Sequence, residues 1–181
     1  MIGFNYVLLN PRSLPQTYVE LFNRVYDHWM SDHSKKVFAD RLMQVDHIAV
    51  IIHRNQPVAF QLLQQLDLRL KPSWHHPLLS TLPKPERQYL HVLKTPHLLL
   101  SESLHVLPEW KDKAMGFKWE EVLLSLSLRL LDDSTADLLL FQSQFHAKQF
   151  RRHFENPLIE EWVNVLWPLS DLTPVKVHSV Q

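Results

Sequence analysis

Hydrophobic positions along this chain change between helical and strand periods. Between residues 15 and 32 the apolar residues recur at three- and four-residue steps, which predicts an amphipathic helix. Residues 48–52 and 58–63 are rich in β-formers and flank a short polar turn, which predicts a hairpin. Further strands are predicted at 4–9, 98–106, 136–141, 159–166 and 175–180, and further helices at 35–45, 113–131 and 146–153. Helices and strands that alternate in this way predict an α/β domain with a mixed sheet.

Residues 70–97 connect the hairpin to the next strand and hold five prolines. A connection of this length is uncommon in a compact domain unless it has a function, so it is not an inert linker. The sequence predicts one helical turn within it, around residues 86–92. A chain of 181 residues is usually one domain, and we expect residues 1–181 to form a single domain that contains this Pro-rich connection.

Composition and charge exclude several classes of protein. Cysteine is absent, which excludes disulfides, thiolate chemistry and cysteine-ligated zinc, and fits a reducing compartment. Lysine and arginine together number 19, as do aspartate and glutamate, so there is no net charge to attract nucleic acid or an anionic membrane. No apolar run approaches the roughly 20 residues that span a bilayer, and the N-terminus does not read as a signal peptide. We therefore expect a cytoplasmic protein.

The most informative segment is residues 104–117, where a predicted strand passes through a basic loop into a predicted helix. The first turn of a helix presents backbone N–H groups without intrahelical partners, and with the helix dipole these attract anions. Lys111 and Lys113 add positive charge there. Gly116, the only glycine besides the N-terminal Gly3, lets a phosphate approach bare backbone. The segment therefore predicts a cradle for phosphate or pyrophosphate.

This segment resembles the acyl-CoA-binding motif of the Gcn5-related N-acetyltransferases. In that family a strand ending in V-x-P leads to Arg/Gln-x-x-Gly-x-Gly/Ala at the start of a helix. The matching positions are Val106, Pro108, Lys111, Ala114 and Gly116, with Lys111 in place of Arg or Gln and Ala114 in place of the first Gly. The order of predicted elements is also similar. The resemblance covers about the whole chain and implies a mixed, mostly antiparallel central sheet flanked by about four helices.

The resemblance also implies an acyl-CoA site and a transfer reaction. In the family an acceptor amine attacks the thioester of acetyl-CoA or another acyl-CoA directly, and no metal is expected. Backbone groups of residues 105–107 would pair with the pantetheine amides, and residues 112–117 would hold the pyrophosphate. The implied cofactor-binding residues are Val106, Leu107, Lys111, Asp112, Lys113, Ala114, Met115, Gly116, Phe117 and Gln144. Arg151 stands where related enzymes often have the Tyr that protonates the thiolate.

Glu102 and His105 are the candidate catalytic residues. Two-residue alternation along the predicted strand places Glu102 on one face with Leu104 and Val106, and His105 on the other. Partial burial among leucines would raise the pKa of Glu102 toward that of a useful base. The competing interpretation is a strand-surface glutamate paired with a nearby Lys or Arg. His105 is the second candidate for the base.

The sequence favours an N-acyltransferase whose partners are a CoA thioester and a primary amine, small molecule or protein, with no nucleic acid or membrane partner. The degenerate motif and the missing Tyr leave open a non-catalytic domain of the same fold that binds acyl-CoA or a protein partner. Transfer from an acyl carrier protein also stays open, through the basic residues 148–153. A homodimer stays open as well, and the fold does not predict the acceptor.

Overall fold

The computed structural model describes residues 3–32, 39–82, 84–92, 96–111, 113, 115–143 and 163–168. Several predictions fall elsewhere in the chain. Asp112, Ala114, Gln144 and Arg151 lie outside the described residues, as do the predicted helix at 146–153 and the predicted strand at 175–180. Those predictions therefore stay predictions.

Six strands form one sheet in the described part of the chain. They are β1 (Asn5–Leu9), β2 (His47–His53), β3 (Gln56–Asp67), β4 (His97–Val106), β5 (Leu138–Ser143) and β6 (Val163–Pro168). The strands are hydrogen-bonded in the order β1-β2-β3-β4-β5-β6. The pairs β1–β2, β2–β3 and β5–β6 are antiparallel. The predicted α/β fold with a mostly antiparallel sheet is confirmed.

Six α-helices lie within the described residues, against about four predicted. They are α1 (Val19–Asp32), α2 (Ala39–Gln44), α3 (Pro77–Thr81), α4 (Lys84–Val92), α5 (Pro108–Lys111) and α6 (Trp119–Asp133). Both α3 and α4 lie in the Pro-rich connection. The helix predicted to begin at 113 begins at Trp119, because Gly116 has a φ of +76°, a left-handed conformation that interrupts an α-helix. In the described ranges no helix is long and apolar enough to cross a membrane.

The chain divides into two compact units. The first comprises Met1–Gln64 with Ser101–Leu126, and the second Gln65–Leu100 with Ser127–Gln181. Trp29, Phe60 and Leu42 are among the largest fully buried side chains of the first unit, and Leu79 and Leu98 of the second. Every predicted site residue that the structure describes belongs to the first unit. The prediction of a single domain stays a prediction.

The β2–β3 hairpin closes without glycine. Arg54 and Asn55 form its two-residue turn with φ values of 50° and 62°. Two successive positive φ values define the primed turn, whose twist matches that of the flanking strands. Asn tolerates this conformation well, whereas Arg seldom adopts it. The resulting register places Phe60 and Gln61 on opposite faces of β3.

Candidate active site

The two faces of the sheet in the first unit carry different groups. Phe60 lies against Trp29 of α1, with ring centroids 6.5 Å apart. Gln61 points the other way, and its Nε2 donates to the backbone carbonyl of Leu123 in α6 at 3.2 Å. On β4, Ser101 Oγ donates to Oε1 of Gln61 at 3.2 Å. Ser101 therefore belongs to the α6 face, and the residue that follows it belongs to the α1 face.

Glu102 is that following residue, and only 3% of it is exposed. Arg41 of α2 holds its carboxylate through two hydrogen bonds, Nε to Oε1 at 3.1 Å and Nη2 to Oε2 at 2.5 Å. Burial raises the pKa of the Glu102 carboxyl, and the opposing effect of the Arg41 charge and hydrogen bond is smaller. Glu102 thus has features of both interpretations, the buried base and the ion-paired structural glutamate. It is buried with a raised pKa, as a base requires, and it is ion-paired, as a structural glutamate is.

Ser103 interrupts the regular geometry of β4. Its φ of 55° is left-handed, a conformation that costs an ordinary L residue about 1–2 kcal/mol. Beyond it, the His105 ring stacks on Phe60 at 4.9 Å and lies 5.0 Å from Trp29. His105 therefore shares the α1 face with Glu102, and the prediction that the two lie on opposite faces is wrong. An irregular strand residue such as Ser103 shifts the two-residue alternation by one position.

The α1 face of β4 therefore brings both catalytic candidates together. Glu102 offers a carboxylate whose two oxygens are already held by Arg41. His105 offers a half-buried imidazole whose ring stacks on Phe60 and meets Trp29 edge-on. The imidazole contributes a ring nitrogen that can take up or release a proton. Histidine is also the side chain whose ordinary titration lies closest to neutral pH.

The backbone just after β4 is tied into the protein. The Leu107 N–H donates to the Val58 carbonyl at 2.9 Å, and the Leu107 carbonyl accepts from the N–H groups of Trp110 and Lys111 at 2.8 and 3.2 Å. The side chains of Val106 and Leu107 are buried in the core of the first unit. The Leu107 backbone, predicted to pair with pantetheine, is therefore engaged within the protein. The predicted contact of residues 105–107 with pantetheine stays a prediction.

The loop between α5 and α6 carries the predicted phosphate cradle. Lys111 and Lys113 are exposed, and Lys113 Nζ lies 3.7 Å from the ring centroid of Trp110. A Cβ added to the left-handed Gly116 would have no heavy atom within 4 Å. The space beside Gly116 is therefore open, as the approach of a phosphate requires. The loop ends at the first turn of α6, where a helix has N–H groups without intrahelical partners. Of these, the Glu121 N–H donates to the Lys118 carbonyl at 3.1 Å.

An aromatic cluster packs against this loop. Its five rings have centroids 4.8 to 6.3 Å apart and belong to Phe4, His53, Trp110, Phe117 and Trp119. Phe117 and Met115 are half-buried against the same core. Trp119 is 5% exposed, and among the described residues its Nε1 is the one buried side-chain nitrogen or oxygen without a hydrogen-bond partner. A buried donor left without a partner costs about 1–3 kcal/mol.

Sequence reasoning misses three residues of this site. Arg41 is 61 positions from Glu102, so no local spacing links the two. Ser103 carries no residue-type signal, because left-handed backbone is typical of Gly, Asn and Asp. The position of Trp119 at the start of the helix could have been predicted, since the residue follows Gly116 closely. Placing the start of that helix at 113 concealed its position.

Two other features bear on the choice of site. A surface groove of about 490 Å³ lies between α1, the start of β3 and the segment after β4, and Leu107 is the only predicted site residue that lines it. Within the part of the chain that the structure describes, no group of three His, Asp or Glu side chains could hold a metal ion. The predicted residues thus point to β4 and the following loop rather than to the groove.

No family model matches the sequence, and no curated protein is significantly similar to it. Solved structures of similar fold include the polyamine N-acetyltransferase of Drosophila melanogaster, at 13% identity and a TM-score of 0.54 over 82% of each chain. An agmatine N-acetyltransferase gives 13% identity and a TM-score of 0.58 over 87% of this chain and 84% of the other. An N-acyl amino acid synthase from uncultured soil microbes gives 8% identity and 0.59 over 94% and 93%.

At these identities the likeness concerns the fold. The chain has the fold of the Gcn5-related N-acetyltransferases, and the resemblance suggested by the motif around Gly116 is confirmed at that level. The motif spacing and the order of elements along the chain carried that prediction, whereas the identity of the substrates does not follow from a shared fold.

Proposed function

We propose that this protein is an acyl-CoA-dependent N-acyltransferase that transfers an acetyl group to a primary amine. One observation carries the proposal: β4 leads into a basic loop whose left-handed Gly116 is open, directly before the 15-residue helix α6. This combination suits the pyrophosphate of CoA. The proteins of similar fold include two N-acetyltransferases and an N-acyl amino acid synthase, which supports the class of reaction.

Donor binding rests on the loop between α5 and α6. The unpaired N–H groups of the first turn of α6 would hold the pyrophosphate, and Lys111 and Lys113 would add charge. Lys113 rests on the Trp110 ring in the free protein. A cation–π contact at an exposed site contributes only about 0.5–1 kcal/mol, so a phosphate can replace the ring as the partner of the ammonium.

The chemistry requires a place for the amine proton. The amine nitrogen forms a bond to the thioester carbonyl carbon, the carbon–sulfur bond breaks, and CoA leaves as a thiolate that takes up a proton from solvent. His105 is the better acceptor of the amine proton, because Arg41 already holds both oxygens of Glu102. Glu102 then acts as a positioning residue that fixes α2 against β4 beside Ser103.

A second candidate function is binding of acyl-CoA without transfer. The observation that favours it is the bidentate Arg41–Glu102 pair, which withdraws the strand glutamate from proton transfer. Both functions use the same loop for CoA. They differ in whether the α1 face of β4 does any chemistry.

Binding is tested by a thermal-shift titration with CoA, acetyl-CoA and longer acyl-CoAs. A ligand that binds the folded state raises the melting temperature by mass action, and we expect a rise with acetyl-CoA. Gly116→Trp fills the cradle and should abolish the rise. Gly3→Trp is the matched control, because Gly3 also has open space around an added Cβ. No rise with any CoA compound in the wild type contradicts both functions.

Transfer is tested by release of free CoA thiol from acetyl-CoA in the presence of a panel of primary amines. His105→Phe keeps a ring against Phe60 but removes the proton acceptor, so it should lower kcat while preserving the thermal shift with acetyl-CoA. A wild type that binds acetyl-CoA and releases no thiol with any amine supports the binding function. Equal rates in the wild type and His105→Phe remove His105 from the mechanism.

A further inference from the structure

The Trp119 side chain lies next to the loop between α5 and α6. Trp119 is the first residue of α6, and the Cα–Cβ bonds of a helix tilt toward its N-terminus. Its side chain therefore extends back toward the loop. The ring contacts Phe117 of that loop at 4.8 Å and Trp110 of the preceding helix α5 at 6.0 Å. The indole thus underlies the loop that the proposed function assigns to the pyrophosphate.

The indole N–H of Trp119 differs from that of Trp74 in its hydrogen bonding. Nε1 is buried and without a hydrogen-bond partner among the described residues. Its ring neighbours are the side chains of Phe4, Trp110 and Phe117, which offer no oxygen acceptor. By contrast, Trp74 in the second unit donates its Nε1–H to the Leu68 carbonyl at 2.8 Å. The chain can therefore satisfy a tryptophan N–H where nothing else is to bind.

We propose that the Trp119 indole N–H donates a hydrogen bond to the pyrophosphate of bound CoA, and this rests on the proposed function. The surroundings of Trp119 favour an anion as the acceptor of this hydrogen bond. Trp119 stands at the N-terminal end of α6, where the helix dipole and the exposed Lys111 and Lys113 all favour negative charge. A hydrogen bond to a charged acceptor is stronger than one between neutral groups.

Binding includes a local movement of the loop, because Nε1 is covered in the free protein. The contact of Lys113 with the Trp110 ring is a weak one, and Gly116 has open space beside it. The competing use of the N–H is a contact with the face of a neighbouring ring. Such contacts are weak, and they predict that the N–H does not respond to CoA.

The first test observes the N–H directly. The chain has six tryptophans and therefore six indole N–H resonances in an ¹H–¹⁵N spectrum. The variants Trp119→Phe and Trp74→Phe each lack one resonance, which assigns the indole N–H signals of Trp119 and Trp74. On titration of the wild type with CoA, we expect the Trp119 proton to move downfield and the Trp74 proton to stay in place. A Trp119 proton that does not move while CoA binds overturns the inference.

The second test removes the N–H without changing the ring. Benzothienylalanine replaces the indole nitrogen by sulfur, and at position 119 it should weaken CoA binding by roughly ten- to a hundredfold, the range for a hydrogen bond to a charged group. The same factor is expected for dephospho-CoA, which keeps the pyrophosphate. Pantetheine, which has no phosphate, should bind both proteins equally. At position 74 the replacement should lower the melting temperature and leave CoA affinity unchanged.

The outcomes separate this inference from the proposed function. A wild type that binds none of the three compounds overturns the proposed function and this inference with it. A wild type that binds CoA as tightly as the position-119 variant overturns the inference alone. Should that variant not fold, the titration of the wild-type Trp119 resonance still decides.

Discussion

Two of the polar groups buried in the first unit, the Glu102 carboxylate and the Trp119 indole N–H, differ in their hydrogen bonding. The Glu102 carboxylate receives two hydrogen bonds from Arg41 and keeps its partner within the chain. The Trp119 N–H has no partner among the described residues. Both groups are at least nine-tenths buried, at 3% and 5% exposure. Burial alone therefore does not tell these two groups apart, whereas hydrogen-bond satisfaction does.

The contrast divides the candidate site into a completed part and an incomplete part. On β4, the pair of Glu102 with Arg41 joins α2 to the strand. Before α6, the open Gly116 and the unsatisfied Trp119 leave room and a donor for something else. The α6 start is thus the part that a ligand should stabilise, and the β4 pair is the part whose loss should damage the fold.

Breaking the Arg41–Glu102 pair should have the largest effect on stability. Arg41→Ala leaves the Glu102 carboxylate buried without its partner and is expected to lower the free energy of unfolding by about 3–5 kcal/mol. Denaturant unfolding at pH 8 measures the change. Combining Arg41→Met with Glu102→Leu should recover most of the loss, because an apolar pair removes the unpaired charge. A loss well below 1 kcal/mol would show that water reaches the carboxylate and that this region is not closed.

The Arg41–Glu102 pair also illustrates where prediction from the sequence stops. Periodicity located β1 to β4 and α1, and the order of elements pointed to the fold, because those signals are local or depend on chain order. A contact across 61 residues is set by packing of the whole unit and leaves no local pattern. The sequence could therefore suggest that Glu102 is buried or paired, but not that it is both.

Backbone irregularity limits the prediction in a second way. Alternation is exact only in a regular strand, and the left-handed Ser103 moves His105 to the face of Glu102. The backbone conformation at Gly116 was easier to anticipate, because glycine is the residue that left-handed backbone prefers and Gly116 has that conformation. A serine in the same region of φ carries no such signal.

Ser103 offers the second-largest expected effect. Ser103→Val places a β-branched side chain in the left-handed region, adds strain to that which serine already bears, and should lower the free energy of unfolding by about 1 kcal/mol. Ser103→Gly accepts the same φ without strain and should leave stability unchanged or raise it by up to about 1 kcal/mol. Chemical denaturation measures both variants. A valine that is tolerated as well as glycine would contradict a left-handed conformation at this position.

The third prediction concerns the positive charges of the loop before α6. Replacing Lys111 and Lys113 by Ala together should weaken CoA binding by roughly three- to thirtyfold at low salt, from charge interactions of about 0.3–1 kcal/mol each. Calorimetric titrations at two ionic strengths measure the effect, which should shrink at high salt because exposed charges are screened. The exposed Lys71 and Lys84 of the second unit provide the matched double replacement. Equal losses from the two double variants would remove the loop lysines from the site.

The smallest expected effect concerns pH. Burial raises the pKa of Glu102 in the folded protein above that in the unfolded chain. The folded state therefore binds the proton more tightly, and the free energy of unfolding should fall as pH rises from the ordinary glutamate pKa to the raised one. Glu102→Gln should remove that slope. If Arg41 outweighed burial, the pKa would be lowered and stability would instead fall on acidification, so the sign of the slope tests the balance.

Asp67 in the second unit has a lowered pKa, whereas the pKa of Glu102 is raised. Its side chain is hydrogen-bonded to Arg69, whose side-chain and backbone N–H groups and charge lower the pKa of Asp67 to about 2. Its contribution is present above the ordinary aspartate pKa and is lost as pH falls toward 2, so Asp67→Asn should remove a slope of the other sign at lower pH. Unfolding curves of the wild type and both variants from acid to neutral pH separate the two. A wild-type slope above the ordinary glutamate pKa that survives Glu102→Gln would mean that another group, and not the buried carboxylate of β4, titrates there.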